Sequence, residues 1–182
     1  PKDKENGFSS SVFVTLLQTS IIQQVYSNPA IGFSVQLSRD AFLGDGQAIK
    51  YDKIITNYGN SYNKWTGHFV APKKGLYLFS CSIMADHTGH IHVQIVKNGT
   101  KISTIYSNLS SYDQSSQTVV LALRRGDSVW TRQSLFGRRL HDHLGYNMFT
   151  GILISRNILK RSLQAVIYYC IKKLVFKVEG TR

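Results

Sequence analysis

The chain has 182 residues, a length that fits one domain with extensions, and 12% of them are aromatic, which is enough for one apolar core. Three prolines and the lack of a Gly-X-Y period exclude a collagen stalk within this sequence. The formal net charge of +12 favours anionic partners. Because no nucleic-acid-binding motif is present, we expect no nucleic-acid partner.

Residues 1–30 are predicted to form an N-terminal extension, because strand patterning begins only after them. Leu17, Ile21 and Val25 are spaced four apart, which is typical of a short amphipathic helix. Two interpretations fit this segment: a helical stalk through which chains assemble, or the remnant of a signal peptide. Its apolar runs are too short for a membrane span.

From residue 31 onward, alternating apolar and polar residues predict β-strands. The clearest stretch is 67–83, where a turn containing Pro72 and Gly75 joins two strands. The second strand places large apolar side chains on one face: Tyr77, Phe79, Cys81 and Ile83. We therefore expect this face to lie inside a sandwich of two sheets, with Cys81 as a buried free thiol.

Turn signals recur at close spacing through the rest of this region. Asn98-Gly99, between two alternating runs, predicts a hairpin, and residues 124–127 predict a turn. The later strands are predicted at 102–106, 118–123, 128–133 and 146–154. About eight to ten short strands indicate an all-β sandwich or jelly roll.

Residues 156–182 break the strand pattern and form a predicted basic C-terminal tail, which carries about half of the net charge. Apolar residues recur every three or four positions from Leu159 to Leu174, which predicts a helix. Val175, Phe176 and Val178 favour a strand-like end instead. The tail is interpreted either as a membrane-surface segment or as sequence without a defined function. The remaining basic residues are scattered along the chain.

Sequence motifs for catalysis are lacking: there is no nucleophile elbow, phosphate loop or paired-carboxylate motif, and we expect no enzyme activity. Histidines are the residues that most suggest a metal site. His87, His90 and His92 have a spacing that zinc sites use, and so do His141 and His143. We interpret both groups as surface polar histidines, because few acidic or cysteine ligands lie near them in the sequence.

Short motifs occur in a fixed order through the strand region. They lie at residues 33–35, 51–57, 59–63, 66–72, 75–80, 97–99, 112–116, 119–123, 126–130 and 146–151, and include TGHFVAP, GLYLFS and YNMFTG. With these motifs, residues 31–155 resemble the globular head domain of complement component 1q, a relative of the tumour necrosis factor fold. The resemblance does not cover the two extensions.

The resemblance implies a ten-stranded jelly-roll sandwich, tumour-necrosis-factor-like, that is secreted and binds other molecules rather than catalysing a reaction. It also implies a homotrimer, or a heterotrimer with relatives. We expect the following residues in the core or the subunit interface: Phe33, Phe69, Tyr77, Phe79, Tyr146 and Phe149.

Calcium is the candidate cofactor, because several members of that family bind it near the trimer axis through the loop with the Tyr-Asp-Gln run. This implies Asp113 and Gln114 as metal ligands. Calcium prefers several carboxylate oxygens, and this loop supplies one aspartate per chain. The alternative is that Asp113 caps local backbone amides.

A basic loop at residues 135–143 is the candidate ligand site. Arginine binds carboxylates and phosphates through two parallel hydrogen bonds. We predict that four residues of this loop bind the ligand: Arg138, Arg139, His141 and His143. Tyr112, from the Tyr-Asp-Gln run, is predicted to bind it with them. Anionic glycans and microbial surface patterns suit this composition, whereas the simpler interpretation is a solvated loop.

These inferences predict a secreted, extracellular, trimeric module of innate immunity that recognises surface patterns in a lectin-like way. The alternative is an extracellular signalling or synaptic-organiser ligand of the same fold, which binds a cell-surface receptor. In a secreted chain, the Asn-X-Ser/Thr triplets make Asn98 and Asn108 predicted glycosylation sites.

Overall fold

The computed structural model describes residues 30–87, 89–108, 113–134, 137–142 and 144–155, which are all-β. Twelve strands lie in these residues: β1 (Gly32–Gln36), β2 (Ala41–Phe42), β3 (Lys53–Tyr58), β4 (Tyr62–Asn63), β5 (His68–Val70), β6 (Gly75–Met84), β7 (Ile91–Lys97), β8 (Thr100–Ser107), β9 (Gln114–Leu123), β10 (Ser128–Ser134), β11 (Arg139–Leu140) and β12 (Met148–Ser155). Across the same ranges, no helix is long and apolar enough to cross a lipid bilayer.

Two antiparallel five-stranded sheets form the sandwich. The first has the order β3-β1-β12-β6-β9 and the second the order β4-β5-β10-β7-β8, while β2 and β11 form a separate two-stranded pair. The jelly-roll prediction is therefore confirmed, and the ten strands of the two larger sheets match the predicted number. The helices predicted for residues 1–30 and 156–182 lie outside the described residues.

The core is built from aromatic side chains that both sheets contribute. Phe33 on β1 stacks on Tyr62 and on Phe69 of the second sheet, with ring centroids 5.1 and 5.3 Å apart, and meets Phe149 edge-on at 5.0 Å. Phe69 also meets Phe79 edge-on at 5.3 Å. Fully burying each such ring contributes about 1.5–3 kcal/mol, so this cluster is what joins the sheets.

Cys81 lies in the same core and is fully buried. Its sulfur is 3.5 Å from the Tyr51 hydroxyl, and burial raises the pKa of the thiol to about 12. Burial also raises the pKa of Tyr51 well above its ordinary value, and the nearby Cys81 thiol adds to this shift. The pair is therefore neutral, and its hydrogen bond belongs to a dry core.

The sandwich has two structurally different ends. We call the end formed by the turns at residues 71–74, 98–99 and 124–127 the turn end. Strands β6, β8 and β10 begin near these turns and run to the opposite end, which we call the loop end.

The turn end is closed by short, tight connections. Asn98 and Gly99 take positive φ values of 48° and 88°, the geometry of the predicted Asn-Gly hairpin. Asp127 links two of the turns, because its carboxylate accepts the Arg124 N–H at 2.9 Å and the Asn98 side-chain amide at 2.9 Å.

The loop end is organised around a buried carboxylate, Asp142. It accepts the backbone N–H groups of Gly145 at 2.7 Å and Asn147 at 2.9 Å. Asn147 in turn accepts the Met84 N–H through its side-chain oxygen at 2.9 Å and donates to the His141 carbonyl at 2.7 Å. These bonds fix residues 141–142 and 145–147 against the end of β6.

Candidate functional site

Four of the five strands of the first sheet present an uncharged outer surface. Strands β1, β12, β6 and β9 contain no charged residue, although the chain has 22 Lys and Arg and 10 Asp and Glu. We call the outward side chains of these four strands the neutral face. At its centre, Ile152, Leu78 and Val120 lie side by side in register, and Ile152 and Val120 are 51% and 52% exposed.

A row of hydroxyl groups crosses the neutral face next to these apolar side chains. Ser34, Thr150, Ser80 and Thr118 are consecutive cross-strand partners. The Ser34 and Thr150 hydroxyls are 3.1 Å apart, and the Thr118 hydroxyl donates to that of Ser80 at 3.0 Å. Because each hydroxyl can both donate and accept, the row can form hydrogen bonds with either donors or acceptors on a second protein surface.

The outer surface of the second sheet is polar and aromatic instead. His68 stacks on Trp130 with centroids 4.3 Å apart and an interplanar angle of 7°, and burial lowers the pKa of His68. Arg132 donates from Nε to the Gln94 side-chain oxygen at 3.0 Å. The two outer surfaces of the sandwich therefore differ in chemistry.

Basic residues that are far apart in the sequence meet at the turn end. They lie in or beside its three turns: Lys73, Lys74, Lys97, Lys101, Arg124 and Arg125. Asp127 is the acidic residue among them, and its carboxylate lies 3.4 Å from the Lys97 Nζ. The other acids of the described ranges lie toward the loop end: Asp40, Asp45, Asp52, Asp86, Asp113 and Asp142. These basic residues are scattered along the sequence, although their places in three turn signals could have grouped them.

The predicted ligand loop carries arginines that have carboxylate partners. Arg138 donates through one nitrogen to both Asp45 oxygens at 3.0 and 3.2 Å. Arg139 lies 3.6 Å from a carboxylate oxygen of Asp86. Both side chains are about half exposed. These pairings offset the positive charge that motivated the prediction.

Of the other three residues predicted to bind ligand, the structure describes His141. The His141 Nδ1 is 3.3 Å from Asp40 Oδ1, and its ring lies over Tyr146 at 6.4 Å between centroids. Tyr112 and His143 lie outside the described residues. Ligand binding by this set stays a prediction.

The residues predicted to hold calcium make protein contacts. Asp113 accepts the Asn108 N–H through a carboxylate oxygen at 3.1 Å, which is the capping role given above as the alternative. Gln114 donates its side-chain amide to the Tyr146 carbonyl at 3.1 Å. Calcium binding by Asp113 and Gln114 stays a prediction.

Both predicted glycosylation residues are exposed and hydrogen-bonded. The Asn98 side-chain nitrogen donates to the Asp127 carboxylate at 2.9 Å, and its side-chain oxygen accepts the Ser128 N–H at 2.8 Å. The Asn108 side-chain oxygen accepts the Tyr106 hydroxyl at 3.1 Å. Glycan attachment at Asn98 would compete with a contact that holds the turn end.

The residues predicted for the core or interface lie mostly in the core. Those buried between the sheets are Phe33, Phe69, Tyr77, Phe79 and Phe149. Tyr146 is half-buried at the loop end, where its carbonyl accepts the Ser82 hydroxyl at 2.8 Å. The exposed apolar side chains of the neutral face were not among the predicted interface residues, although their alternation with the core residues of β6, β9 and β12 could have identified them.

Comparison with known proteins gives relatives for most of the described region. Complement C1q tumor necrosis factor-related protein 3 from Mus musculus is 33% identical over 117 residues, which cover 62% of this chain and 47% of the relative. Complement C1q and tumor necrosis factor-related protein 9A from Homo sapiens is 35% identical over 131 residues, covering 69% of this chain and 39% of the relative. The chain thus spans less than half the length of these two proteins.

Solved structures share the fold at lower identity. The globular domain of zebrafish complement 1qA matches with a TM-score of 0.59 and 20% identity, covering 71% of this chain and 100% of that chain. Eiger TNF from S. frugiperda matches with a TM-score of 0.58 and 14% identity, covering 71% and 96%. The model of the C1q domain family matches residues 32–154, which contain both large sheets, and the chain therefore belongs to the C1q domain family.

Proposed function

We propose that this protein is an extracellular recognition module that assembles as a trimer through the neutral face and binds anionic glycans at the turn end. The neutral face is the observation that carries the proposal. Exposed apolar patches with a polar surround are typical of protein–protein contacts. Membership of the C1q domain family and the likeness to a tumour necrosis factor structure support a role in recognition or signalling rather than catalysis.

Self-association explains why a strongly basic chain keeps the outer side chains of four neighbouring strands free of charge. In a three-fold ring the neutral face meets a different surface of the next copy, and the same residues of three copies meet near the axis. Charged side chains on this face would lie close to like charges near the axis or lose their water without an opposite partner. Ile152, Leu78 and Val120 would instead contribute about 25 cal/mol for each Å² of apolar area removed from water. The hydroxyl row supplies hydrogen-bonding groups that carry no desolvated charge.

The assembly is tested by placing a carboxylate in the centre of the neutral face. In sedimentation velocity, we expect the wild-type chain as a trimer and the Ile152→Asp variant as a monomer. Ile102→Asp is the matched control, since Ile102 lies on β8 of the second sheet and is 37% exposed; it should stay trimeric. A monomeric wild type, or a trimeric Ile152→Asp with native circular dichroism, contradicts the proposal.

Anionic glycans are the proposed ligand class because the turn end gathers basic side chains around one acid. Sulfate and carboxylate groups of a polysaccharide would meet several cations at once. In a trimer this end occurs three times, so weak binding by each copy becomes avidity on a repetitive surface.

The ligand site is tested with two double variants that each remove two positive charges. Lys74→Gln with Arg125→Gln changes the turn end, and Arg138→Gln with Arg139→Gln changes the loop end. On immobilised heparin, and on sialylated glycans at low salt, we expect the turn-end variant to lose more retention. A larger loss in the loop-end variant would place the site in the loop predicted from the sequence. Unchanged retention in both variants, with saturable binding to one cell-surface receptor, would favour the signalling alternative.

A further inference from the structure

We propose that Asp40, Asp86 and His141 form a binding site for a divalent transition metal of the zinc class, with His87 as the fourth ligand. This inference is independent of self-association and glycan binding. One potential ligand atom from each of Asp40, Asp86 and His141 lies within 4.8 Å of the others. His87 Nδ1 lies 3.2 Å from Asp86 Oδ1. The structure thus brings Asp86, the partner of His87, next to His141, from which it is more than fifty positions away in the sequence.

The backbone fixes the three segments that carry these side chains. Asp86 follows β6, and its N–H donates to the Arg139 carbonyl at 3.3 Å. His141 follows β11, and its N–H donates to the Met84 carbonyl at 3.0 Å. Asp40 immediately precedes β2, which pairs with β11. Each side chain therefore starts from a strand end held by its neighbour, which favours a site formed before the metal binds.

Charge is the second argument for a cation. Asp86 is only 3% exposed, and the Asp40 carboxylate lies close to it. Two negative charges this close repel each other. Arg139 offsets part of this cost at 3.6 Å, from a half-exposed side chain. A divalent cation between the carboxylates would neutralise both.

The mixture of ligand atoms selects the class of metal. Zinc binds imidazole nitrogens and carboxylate oxygens, usually four ligands in a tetrahedral arrangement. Calcium takes six to eight oxygens and does not favour imidazole. His87 is 66% exposed, so its ring can turn toward the metal with little repacking. Asp40 Oδ1 also accepts the Asp142 N–H at 2.7 Å, and this contact orients the carboxylate as an outer hydrogen bond does at known metal sites.

The site is tested by titrating zinc chloride into the full chain after chelation and removal of the chelator, with calorimetry as the readout. We expect one site per chain that is weakened about tenfold or more in Asp40→Asn and in His141→Gln. His92→Gln is the matched control, since His92 lies on β7 in contact with Tyr106 and outside the cluster. Its zinc affinity should equal that of the wild type.

Two further measurements separate a lost ligand from a lost fold. The metal-free variants should keep the wild-type circular dichroism, and zinc should raise the melting temperature of the wild type and of His92→Gln but not of His141→Gln. Cobalt(II) should give the visible absorption of a tetrahedral site in the wild type only. No zinc binding, equal weakening in His92→Gln, or a preference for calcium over zinc would overturn the proposal.

Discussion

The two ends of the sandwich differ in how their chain connections are built. At the turn end, three tight turns project basic side chains into solvent, and Gly126 has open space where a Cβ would lie. At the loop end, acidic side chains pair with arginine or histidine or accept backbone N–H groups, and a Cβ on Gly137 would overlap the His90 carbonyl oxygen. One end is thus an open, charged surface, whereas the other is packed and its charges are largely compensated.

This difference shows which chain connections can carry charged side chains with little loss of stability. Short turns satisfy their backbone groups within themselves or with one another, as the Gly126 N–H does with the Ala71 carbonyl at 2.8 Å, so basic side chains can project from them without disturbing the fold. A longer loop that folds back on the sandwich buries backbone groups, which need partners. Asp142 supplies such partners at the loop end, and Asp45 and Asp86 already pair with the arginines that an anionic ligand would need.

The largest expected contrast comes from one substitution at each end. Both Gly126 and Gly137 have positive φ, at 89° and 70°, so alanine is strained at either position, at a cost of about 1–2 kcal/mol. Gly137→Ala adds the overlap with the His90 backbone and should cost about 4 kcal/mol or more. Urea denaturation of both variants measures the difference. Equal losses would show that the loop end is no more tightly packed than the turn end.

The second contrast concerns the buried carboxylate. Asp142→Ala should lower the free energy of unfolding by about 3 kcal/mol, because it leaves the N–H groups of Gly145 and Asn147 without an acceptor in a buried place. Asp142→Asn should lose less, since its amide oxygen can still accept. A loss below about 0.5 kcal/mol for Asp142→Ala, the range of surface substitutions, would mean that solvent replaces the carboxylate.

The smallest expected effect is the pH dependence due to Asp127 at the turn end. The N–H of Arg124, followed by the Asn98 amide, holds the pKa of Asp127 below its ordinary value. Its carboxylate therefore contributes stability that is present above the unfolded pKa of about 4 and is lost as the pH falls through the lower folded value. Thermal melts between about pH 5 and about pH 2 should show a shallower decline for Asp127→Asn than for the wild type. If the melting temperatures of the two proteins decline in parallel with pH, Asp127 does not contribute to the pH dependence of stability.

Local sequence patterns were sufficient for the architecture. The alternation through Tyr77 and Phe79 predicted which face of β6 is buried, and Asn98-Gly99 predicted the hairpin between β7 and β8. Strand ends were less well predicted: β9 begins at Gln114 rather than 118, and β12 begins at Met148 rather than 146. Pairing with β6 extends β9 through polar residues that carry no hydrophobic period.

The candidate sites depend on contacts that no local pattern contains. Lys74 and Arg125 meet at one end because β6 and β9 are antiparallel neighbours, which the sequence does not state. The partner of Arg138 is Asp45, more than ninety positions away, so its charge looked uncompensated. The same long-range pairing places Asp86 beside His141.

The fully buried thiol of Cys81 can serve as a chemical probe for opening of the sandwich. With a pKa of about 12, the sulfur reacts with alkylating reagents only after the sheets separate, since the thiolate is the reactive form and the core excludes the reagent. The chain has one other cysteine, Cys170. With that thiol removed by Cys170→Ser, the alkylation rate under native conditions would measure how often the two sheets separate.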